Sequence, residues 1–299
     1  MKGQIVKILS NLYFVDCENE IIPCHSRGNF RNKKIIPLVG DYCIIDKEQK
    51  YIMEILPRKS FLIRPSVANI DQVLIVTSLK TPDFSTNLLD KLIVISEINK
   101  IIPIICITKE DLISDIEKEN IRKIMSYYEK IGYMVLYNYD IEKIKKIFKN
   151  KTTVFTGQTG AGKSSLFNRL DEKLNFEVGE VSNALGRGKH TTRFVELISL
   201  FGGKLLDTPG FSSIDLSIYS KDDLKNAFKE FRNSGCKYKD CMHNNEKIDE
   251  CIVKNKVKNG EILKSRYENY IKFISDWEEE LWKKYQFLFW VVKTNQKIF

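Results

Sequence analysis

Residues 157–165 of the 299-residue chain, GQTGAGKSS, have the composition of a phosphate-binding loop. They fit the pattern G-x-x-x-x-G-K-[ST], and they lie between a β-branched segment and a helical pattern, as the pattern requires. Glycines let backbone N–H groups surround phosphates, and the start of the following helix favours negative charge. The predicted nucleotide-binding residues are Gly157, Gln158, Thr159, Gly160, Ala161, Gly162, Lys163, Ser164 and Ser165. Lys163 is expected to contact the β- and γ-phosphates and Ser164 to bind Mg²⁺.

A second stretch, TKED at residues 108–111, ends the apolar run IIPIICI. A carboxylate at such a position can accept hydrogen bonds from N1–H and the 2-amino group of guanine, two donors that adenine does not present together. Asp111 is therefore the predicted guanine-specific residue. Lys109 is expected to lay its aliphatic stem over the base, and Thr108 completes the motif on its amino-terminal side.

Two later segments provide an acid and two threonines. Asp207 begins DTPG at the end of an apolar segment, where it is expected to hold Mg²⁺ through water while Gly210 donates its N–H to the γ-phosphate. Within GRGKHTTR, residues 186–193, a threonine is expected to complete the Mg²⁺ shell. Spacing alone does not choose between Thr191 and Thr192. A basic surface loop is the alternative interpretation of this segment.

The order of these segments is unusual, because GTPases normally carry the base-recognition loop after the phosphate loop. Here the order is the base-recognition segment TKED, the phosphate loop, the threonine segment GRGKHTTR and the D-x-x-G segment DTPG. If one sheet carries all four, the domain is a circularly permuted P-loop GTPase. Such a rearrangement is geometrically tolerable, since the ends of compact domains often lie close together.

A cluster of soft metal ligands lies further along the chain. Cys236, Cys241, His243 and Cys251 supply three thiolates and one imidazole. Four such ligands describe a closed, tetrahedral, structural zinc site. The alternative, buried cysteines without metal, fits poorly with the polar residues between them. The remaining cysteines are scattered through apolar segments and are interpreted as small buried residues.

Three kinds of element must position these residues. Residues 1–66 contain short β-branched and aromatic segments separated by turn residues, which predicts a small barrel, either an OB-fold or an SH3-like barrel. Residues 67–220 alternate apolar strands with helical patterns, which predicts an α/β domain with a mostly parallel sheet. Residues 221–299 contain helical patterns around the cysteine cluster, which predicts a mostly helical zinc-binding domain.

Charge favours a polyanionic partner. Lys and Arg outnumber Asp and Glu by 48 to 39, giving a net charge of +9. Basic residues surround Phe30 in RGNFRNKK, residues 27–34, where a barrel loop could contact an RNA backbone while the aromatic ring stacks on a base. The alternative interpretation is a solvated loop in which Phe30 is partly buried. No apolar segment approaches the roughly 20 residues that span a bilayer, and the N-terminus does not resemble a signal peptide, so a cytoplasmic protein is expected.

Taken together, the chain resembles the ribosome small-subunit-dependent GTPase A (RsgA, or YjeQ) family. The resemblance rests on PLVGDYCII at residues 37–45, RPSVANIDQVLIV at 64–76, the phosphate loop, GKHTTR, DTPGF and CKYKDCMH, in that order. It implies a cytoplasmic GTPase that binds the 30S ribosomal subunit and its 16S rRNA during late maturation, with hydrolysis stimulated by the subunit. The ligands expected from the motifs are GTP, GDP, Mg²⁺ and one structural Zn²⁺ per chain, and the protein is expected to be a monomer.

The resemblance implies one further catalytic residue. Phe211 follows DTPG, where many GTPases place a water-orienting Gln, and in this family a histidine of the threonine segment, here His190, is thought to position water. A contact with ribosomal RNA is the alternative role for His190.

Two departures from the family pattern stand out: a longer loop before Cys251, and no clear second base-contact loop near residues 136–140. Two other functions compete with this one, a nucleotide-switched RNA-binding module with incidental hydrolysis and a P-loop ATPase.

Overall fold

The computed structural model of the chain describes residues 1–26, 30, 36–63, 66–171, 195–207 and 215–295. Contacts divide the chain into two compact units. The first unit contains residues 1–84 and 99–213, and the second contains residues 85–98 and 214–299.

The N-terminal strands form a closed five-stranded barrel. The strands are β1 (Lys2–Leu9), β2 (Leu12–Cys17), β3 (Glu20–Ser26), β4 (Tyr42–Asp46) and β5 (Tyr51–Ile55). Their order around the barrel is β1-β2-β3-β5-β4, with β3 and β5 parallel and the other pairs antiparallel. This arrangement confirms the predicted OB-type barrel over the SH3-like alternative.

The interior of the barrel is apolar because alternate residues of each strand face inward. Ile5, Val15, Cys24 and Ile52 are all buried there. Phe30 belongs to the same core and is only 7% exposed. The prediction that Phe30 stacks on a nucleic-acid base is therefore wrong, because its ring is used to fill the barrel. The basic residues around it, Arg27, Arg31, Lys33 and Lys34, lie outside the described residues.

A mixed six-stranded sheet follows the barrel and the short pair β6 (Phe61–Leu62) and β7 (Val67–Ala68). Its strands are β8 (Gln72–Ser78), β9 (Ile102–Thr108), β10 (Met134–Tyr137), β11 (Thr152–Thr156), β12 (Ile198–Leu200) and β13 (Gly203–Asp207). The order is β10-β9-β8-β11-β13-β12, parallel except for β12. The carboxyl ends of β9, β11 and β13 therefore share one edge of the sheet, where α/β proteins bind ligands.

Three helices of the first unit lie between strands of this sheet in sequence. They are α2 (Asp115–Lys130), α3 (Ile141–Phe148) and α4 (Lys163–Leu170). The start of α2 is fixed by a capping box between Ser114 and Glu117. Phe148 of α3 and Phe167 of α4 pack on Phe155 of β11, with ring centroids 5.5 and 4.3 Å away. This aromatic cluster packs strand β11, which precedes the phosphate loop, against helix α4, which follows it.

The second unit consists mainly of helices. They are α1 (Thr86–Ile98), α5 (Lys221–Ala227), α6 (Ile252–Lys258) and α7 (Lys264–Asn295). Helix α5 ends at Ala227 because Phe228 adopts extended backbone angles, and only a 3₁₀ turn, Lys229–Phe231, follows. Across the described parts of the chain, no helix is both long and apolar enough to cross a membrane.

Candidate functional site

The phosphate loop connects β11 to α4, as its motif predicts. Gly157, Gly160 and Gly162 have φ angles of +146°, +79° and +92°, which L side chains rarely adopt. At Gly157 the requirement is also steric, because a Cβ atom there would lie 2.1 Å from the carbonyl oxygen of Val76. The loop can therefore present its backbone N–H groups to a phosphate only with glycine at these positions.

Lys163 lies at the first turn of α4 and folds back over the loop. Its Nζ donates to the carbonyl oxygens of Gly157 and Gln158, at 2.9 and 3.0 Å. Ser164 follows it and is 7% exposed. The ammonium group is thus held above the concave side of the loop, where phosphate oxygens could replace carbonyl oxygens as its acceptors.

The TKED segment, which is predicted to recognise the base, is hydrogen-bonded directly to the phosphate loop. Thr108 ends β9, is 2% exposed, and its Oγ1 donates to the carbonyl of Ala161 at 2.6 Å. Lys109 has a left-handed backbone with φ of +60°, and its Nζ donates to the carbonyl of Thr81. The early TKED and the later phosphate loop are therefore neighbours, because only β8 separates their strands in the sheet.

A cavity of about 500 Å³ opens beside Asp111. It is lined by Glu110, Asp111, Lys118, Arg122, Asn138, Tyr139 and Arg169. Burial, and then the carboxylate of Glu110, raises the pKa of Tyr139, whose hydroxyl contacts Glu110 at 3.4 Å. The cavity combines two carboxylates, three basic side chains, one amide and one aromatic ring. Its carboxylates, amide and ring suit a planar heterocycle with hydrogen-bonding edges.

Asn138 and Tyr139 are the functional candidates that sequence reasoning missed. They follow β10, the strand next to β9, and the Asn138 N–H donates to the Ile107 carbonyl at 2.9 Å. The turn is closed by Asp140, whose carboxylate accepts from the Tyr137 N–H at 2.9 Å. The sequence offered only a positional signal for this loop, because the end of β10 lies beside the end of β9. The Ser-Ala residues that are usual in a second base-contact loop are absent.

The remaining predicted nucleotide residues are only partly described. Asp207 ends β13, and its Cα partner is Phe155 on β11, so its backbone lies at the same sheet edge as the phosphate loop. Gly210, His190, Thr191 and Thr192 lie outside the described residues. By residue type, Ser164 and Asp207 offer a hydroxyl and a carboxylate, and oxygen ligands of this kind fit Mg²⁺.

The four predicted zinc ligands come together in the second unit. The Sγ atoms of Cys236, Cys241 and Cys251 lie 3.6, 3.2 and 3.4 Å from Nδ1 of His243, and two of the sulfurs lie 4.0 Å apart. Zinc bond lengths of about 2.3 Å to sulfur and 2.0–2.1 Å to nitrogen imply tetrahedron edges of about 3.8 and 3.5 Å. The cluster therefore has the size of a zinc site, and Cys251 belongs to it.

Neighbouring groups prepare these residues for a metal. The backbone N–H of Ile252 donates to Cys236 Sγ at 3.3 Å, and that of Lys254 to Cys251 Sγ at 3.5 Å. Such donors act to lower the pKa of a thiol, although burial raises the pKa of Cys251 overall. Burial lowers the pKa of His243 to about 4, so its imidazole is neutral near pH 7 and able to bind metal.

The side chains around the cluster fix its loop. Tyr267 on α7 donates its hydroxyl to the carbonyl of His243 at 2.8 Å, and Tyr270 donates to the carbonyl of Met242. Lys254 on α6 donates to the carbonyls of Asn244 and Glu246, at 2.7 and 2.6 Å. A loop held on both sides in this way needs little rearrangement to bind a structural ion.

Comparison with known proteins agrees with this arrangement. A family model described as the RsgA GTPase matches residues 55–217, and one described as the RsgA N-terminal domain matches residues 2–52. The chain is 44% identical to the small ribosomal subunit biogenesis GTPase RsgA of Enterococcus faecalis, covering 93% of this chain and 96% of that protein. It is 45% identical to the protein of the same name from Bacillus velezensis, covering 93% and 98%.

Solved structures show the same similarity. YloQ, described as a circularly permuted GTPase, aligns with a TM-score of 0.78 and 38% identity over 93% of this chain and 95% of that chain. YjeQ from Thermotoga maritima aligns with a TM-score of 0.79 and 35% identity over 92% and 97%. Family models covering most of the chain, and relatives similar over nearly their whole length, lead to one conclusion. The chain belongs to the RsgA GTPase family and is a circularly permuted GTP hydrolase.

Proposed function

We propose that this GTPase acts in the late maturation of the small ribosomal subunit, binding the 30S particle and its 16S rRNA. Nucleotide state controls binding and release, and the subunit stimulates hydrolysis. The observation that carries the proposal is the meeting of the base-recognition and phosphate loops at one sheet edge in a chain whose relatives are named for small-subunit biogenesis. In this proposal residues 1–66 form the RNA-binding barrel, residues 67–220 the GTPase domain and residues 221–299 the zinc-binding helical domain. The protein is a cytoplasmic monomer.

The nucleotide occupies the edge of the sheet formed by β9, β11 and β13. Residues 157–165 surround the phosphates, with Lys163 on the β- and γ-phosphates. Asp111 selects guanine, Lys109 covers the base, and Thr108 ties the two loops together through the Ala161 carbonyl. Asn138 and Tyr139 add a second contact to the base from the end of β10.

The family uses GTP, GDP and Mg²⁺. The residues that would hold Mg²⁺ are Ser164 and Thr192, with Asp207 contributing through water. The ion supplies charge neutralisation on the β- and γ-phosphates. Gly210 donates its N–H to the γ-phosphate. His190 positions the attacking water in place of the Gln that Phe211 replaces, which implies slow hydrolysis by the protein alone.

Cys236, Cys241, His243 and Cys251 would hold one structural zinc ion per chain. Three thiolates and a neutral imidazole would supply four protein ligands and leave no position for a substrate. The contacts of Tyr267 and Lys254 with the same loop support a structural role.

The rRNA is held mainly by charge. The chain carries +9, and four basic residues, Arg27, Arg31, Lys33 and Lys34, follow β3 of the barrel in sequence. Because each phosphate neutralised releases counterions, the affinity of the protein for rRNA falls steeply as salt rises.

The test is GTP turnover by the purified protein with and without purified 30S subunits, with Lys163→Ala as the blank. We expect 30S to raise the turnover rate well above the rate of the protein alone, and the blank to stay inactive in both. A measurable rate that 30S leaves unchanged would contradict the ribosomal part of the proposal. It would favour a nucleotide-switched RNA-binding module with incidental hydrolysis.

A further inference from the structure

A cavity of about 880 Å³ lies between the barrel and the sheet, within the first unit. Residues of β1, β2 and β4 line this barrel–sheet cavity on one side, and the starts of β11 and β13 line it on the other. The candidate nucleotide site is at the carboxyl ends of the same sheet strands, and the cavity beside Asp111 shares no lining residue with this one. The volume lies within the range of small-ligand pockets, roughly 300–1,000 Å³. The barrel–sheet cavity is therefore a second, separate candidate binding site.

Backbone and side-chain contacts hold the two walls of this cavity together. Strand β1 has a bulge between Ile5 and Lys7, and the chain just before β12 bonds to it there. The Leu197 N–H donates to the Val6 carbonyl at 2.8 Å, and Lys7 Nζ lies 2.8 Å from the carboxylate of Glu196. Strand β12, which contributes to the lining, is thus attached directly to the barrel. Because the walls are already held in place, a ligand does not have to order them.

The lysines of the lining differ in what they contact. Lys204 Nζ lies 2.7 Å from Asp16 Oδ2, and Asp16 Oδ1 accepts from the Asn19 N–H at 3.1 Å. Asp16 and Lys204 therefore neutralise each other. Lys2 and Lys151 are exposed, and neither forms an ion pair with another residue in the part of the chain that the structure describes. These two ammonium groups are available to a negatively charged ligand.

The rest of the lining suits a flat, uncharged group with hydrogen-bonding edges. Tyr42 and Phe201 contribute aromatic rings, and the Phe201 ring also stacks on that of Phe148. Glu18 and Asp71 are the remaining carboxylates, and one Asp71 oxygen accepts from the backbone N–H at the start of β11 at 2.8 Å. Carboxylates accept hydrogen bonds from the amino groups of bases, and aromatic rings stack on base faces. These groups can recognise a nucleobase.

We propose that the barrel–sheet cavity binds one unpaired nucleotide of an RNA strand, with its base inside the cavity and its flanking phosphates on Lys2 and Lys151. Lys2 Nζ lies 5.5 Å from the centroid of the Tyr42 ring, so a phosphate contact and a stacking surface are adjacent. Proteins hold single-stranded RNA in this way, with cations along the backbone and aromatic rings against the bases. The inference rests on the proposed function, because it places part of the rRNA contact on this surface.

The charges around the cavity favour an unpaired nucleotide over a small polyanion. The lining carries three lysines and three carboxylates, so it has no excess of either charge. An uncharged base can enter such a site, whereas the carboxylates repel a group that carries several negative charges. Lys149 adds a further exposed cation nearby, because its Cγ would lie 3.8 Å from a Cβ atom on Gly202 of the lining. The phosphates of a strand can therefore stay at the exposed lysines while one base enters.

The first test reverses two charges at the cavity and compares the result with the same change elsewhere. Lys2→Glu/Lys151→Glu is measured against Lys123→Glu/Lys130→Glu, which changes two exposed lysines of α2 that do not line the cavity. The probe is a fluorescein-labelled, single-stranded RNA of mixed sequence, about 12 nucleotides long. Its Kd for the full-length, zinc-loaded protein is measured by anisotropy at several salt concentrations.

We expect Lys2→Glu/Lys151→Glu to raise this Kd about tenfold and to reduce the salt slope by about 1.4, which is two phosphates at roughly 0.7 each. The control variant should stay close to the wild type. Circular dichroism checks that the variants fold. Lys2→Gln/Lys151→Gln, which removes the charges without reversing them, should raise Kd by a smaller factor and replaces the first variant if that one does not fold.

A second measurement locates the RNA on the protein. The same RNA, now carrying 4-thiouridine, is irradiated on the protein, and the crosslinked peptides are identified by mass spectrometry. We expect crosslinks to Tyr42 and Phe201 in the wild type and far fewer in Lys2→Glu/Lys151→Glu. Crosslinks confined to other parts of the chain, or an RNA affinity of the cavity variants equal to that of the control, would overturn the proposal.

The same experiments separate this inference from the proposed function. If the wild type binds RNA and 30S subunits and the cavity variants match their control, the cavity proposal fails and the proposed function stands. If the wild type binds neither RNA nor 30S subunits, both fail.

Discussion

The zinc cluster and the nucleotide site are assembled in different ways. All four zinc ligands come from residues 236–251, and backbone donors and nearby side chains on α6 and α7 fix the loop locally. The described residues that are proposed to bind the nucleotide are spread over residues 108–207, and the strand order of one sheet brings them together. Residue spacing in one short segment is enough to form the zinc cluster, whereas the nucleotide site depends on the order of strands in the sheet. Changes in the two sites should therefore have separable effects.

Lys163→Ala should produce the largest effect and leave the zinc cluster intact. The ammonium group makes charge-assisted contacts with phosphate, and losing two such bonds corresponds to a loss of about 100-fold or more in GTP affinity. Titration with a fluorescent GTP analogue measures the affinity, and elemental analysis measures the zinc content. Lys123→Ala, an exposed lysine of α2 paired with Glu119, is the control. Loss of zinc in Lys163→Ala would show that the two sites are not separable.

Cys241→Ser changes the zinc cluster instead of the nucleotide site. We expect zinc to fall from about one ion per chain to near zero, because a hydroxyl is a poor replacement for a buried thiolate ligand. The second unit should then unfold at lower urea concentration, as followed by tryptophan fluorescence. Cys17→Ser, which changes a buried cysteine of the barrel core, should keep its zinc. A full complement of zinc in Cys241→Ser would contradict the assignment.

The contrast also explains what the sequence could predict. The phosphate loop and the zinc ligands were predictable, because each depends on residue types at fixed local spacing, and the structure brings the zinc ligands within 4.8 Å of one another. The OB-type barrel was predictable from its short alternating strands. The base-recognition role of TKED depended on assuming that one sheet carries all the motifs, and the bond from Thr108 to Ala161 supports that assumption.

Other features depended on contacts that no local pattern encodes. Helix α1 lies in sequence between two strands of the nucleotide sheet, yet it packs with the C-terminal helices through Asp90 and Arg266. Asn138 and Tyr139 escaped prediction because their residue types do not match the usual base-contact loop. Phe30 was assigned to RNA stacking because an exposed and a buried aromatic ring have the same local pattern.

Asn138→Leu tests the part of the nucleotide site that is proposed to contact the base. If the amide contacts guanine, removing it should raise the Kd for GDP about five- to tenfold, since an unmet hydrogen bond costs about 1–1.5 kcal/mol. Zinc content should not change. Asn255→Leu, at an exposed position on α6, is the control, and it should bind GDP as the wild type does. GDP affinity unaffected by Asn138→Leu would remove this residue from the site.

Thr108→Val should have the smallest effect. Valine has nearly the shape of threonine but cannot donate to the buried carbonyl of Ala161, which Thr108 bonds at 2.6 Å. The free energy of unfolding of the first unit should fall by about 1–2 kcal/mol in urea titrations followed by circular dichroism. An unchanged free energy of unfolding would mean that this bond does not couple the two loops.

The central claim is that a residue placed before the phosphate loop in sequence recognises the base of the nucleotide bound there. Its most direct test is the affinity of the wild type and of Asp111→Asn for GDP and for XDP, which carries a carbonyl where guanine has its 2-amino group. We predict that the wild type prefers GDP, and that Asp111→Asn loses about 100-fold in GDP affinity and prefers XDP, because its amide can donate to that carbonyl. An unchanged preference for GDP in Asp111→Asn would contradict the claim.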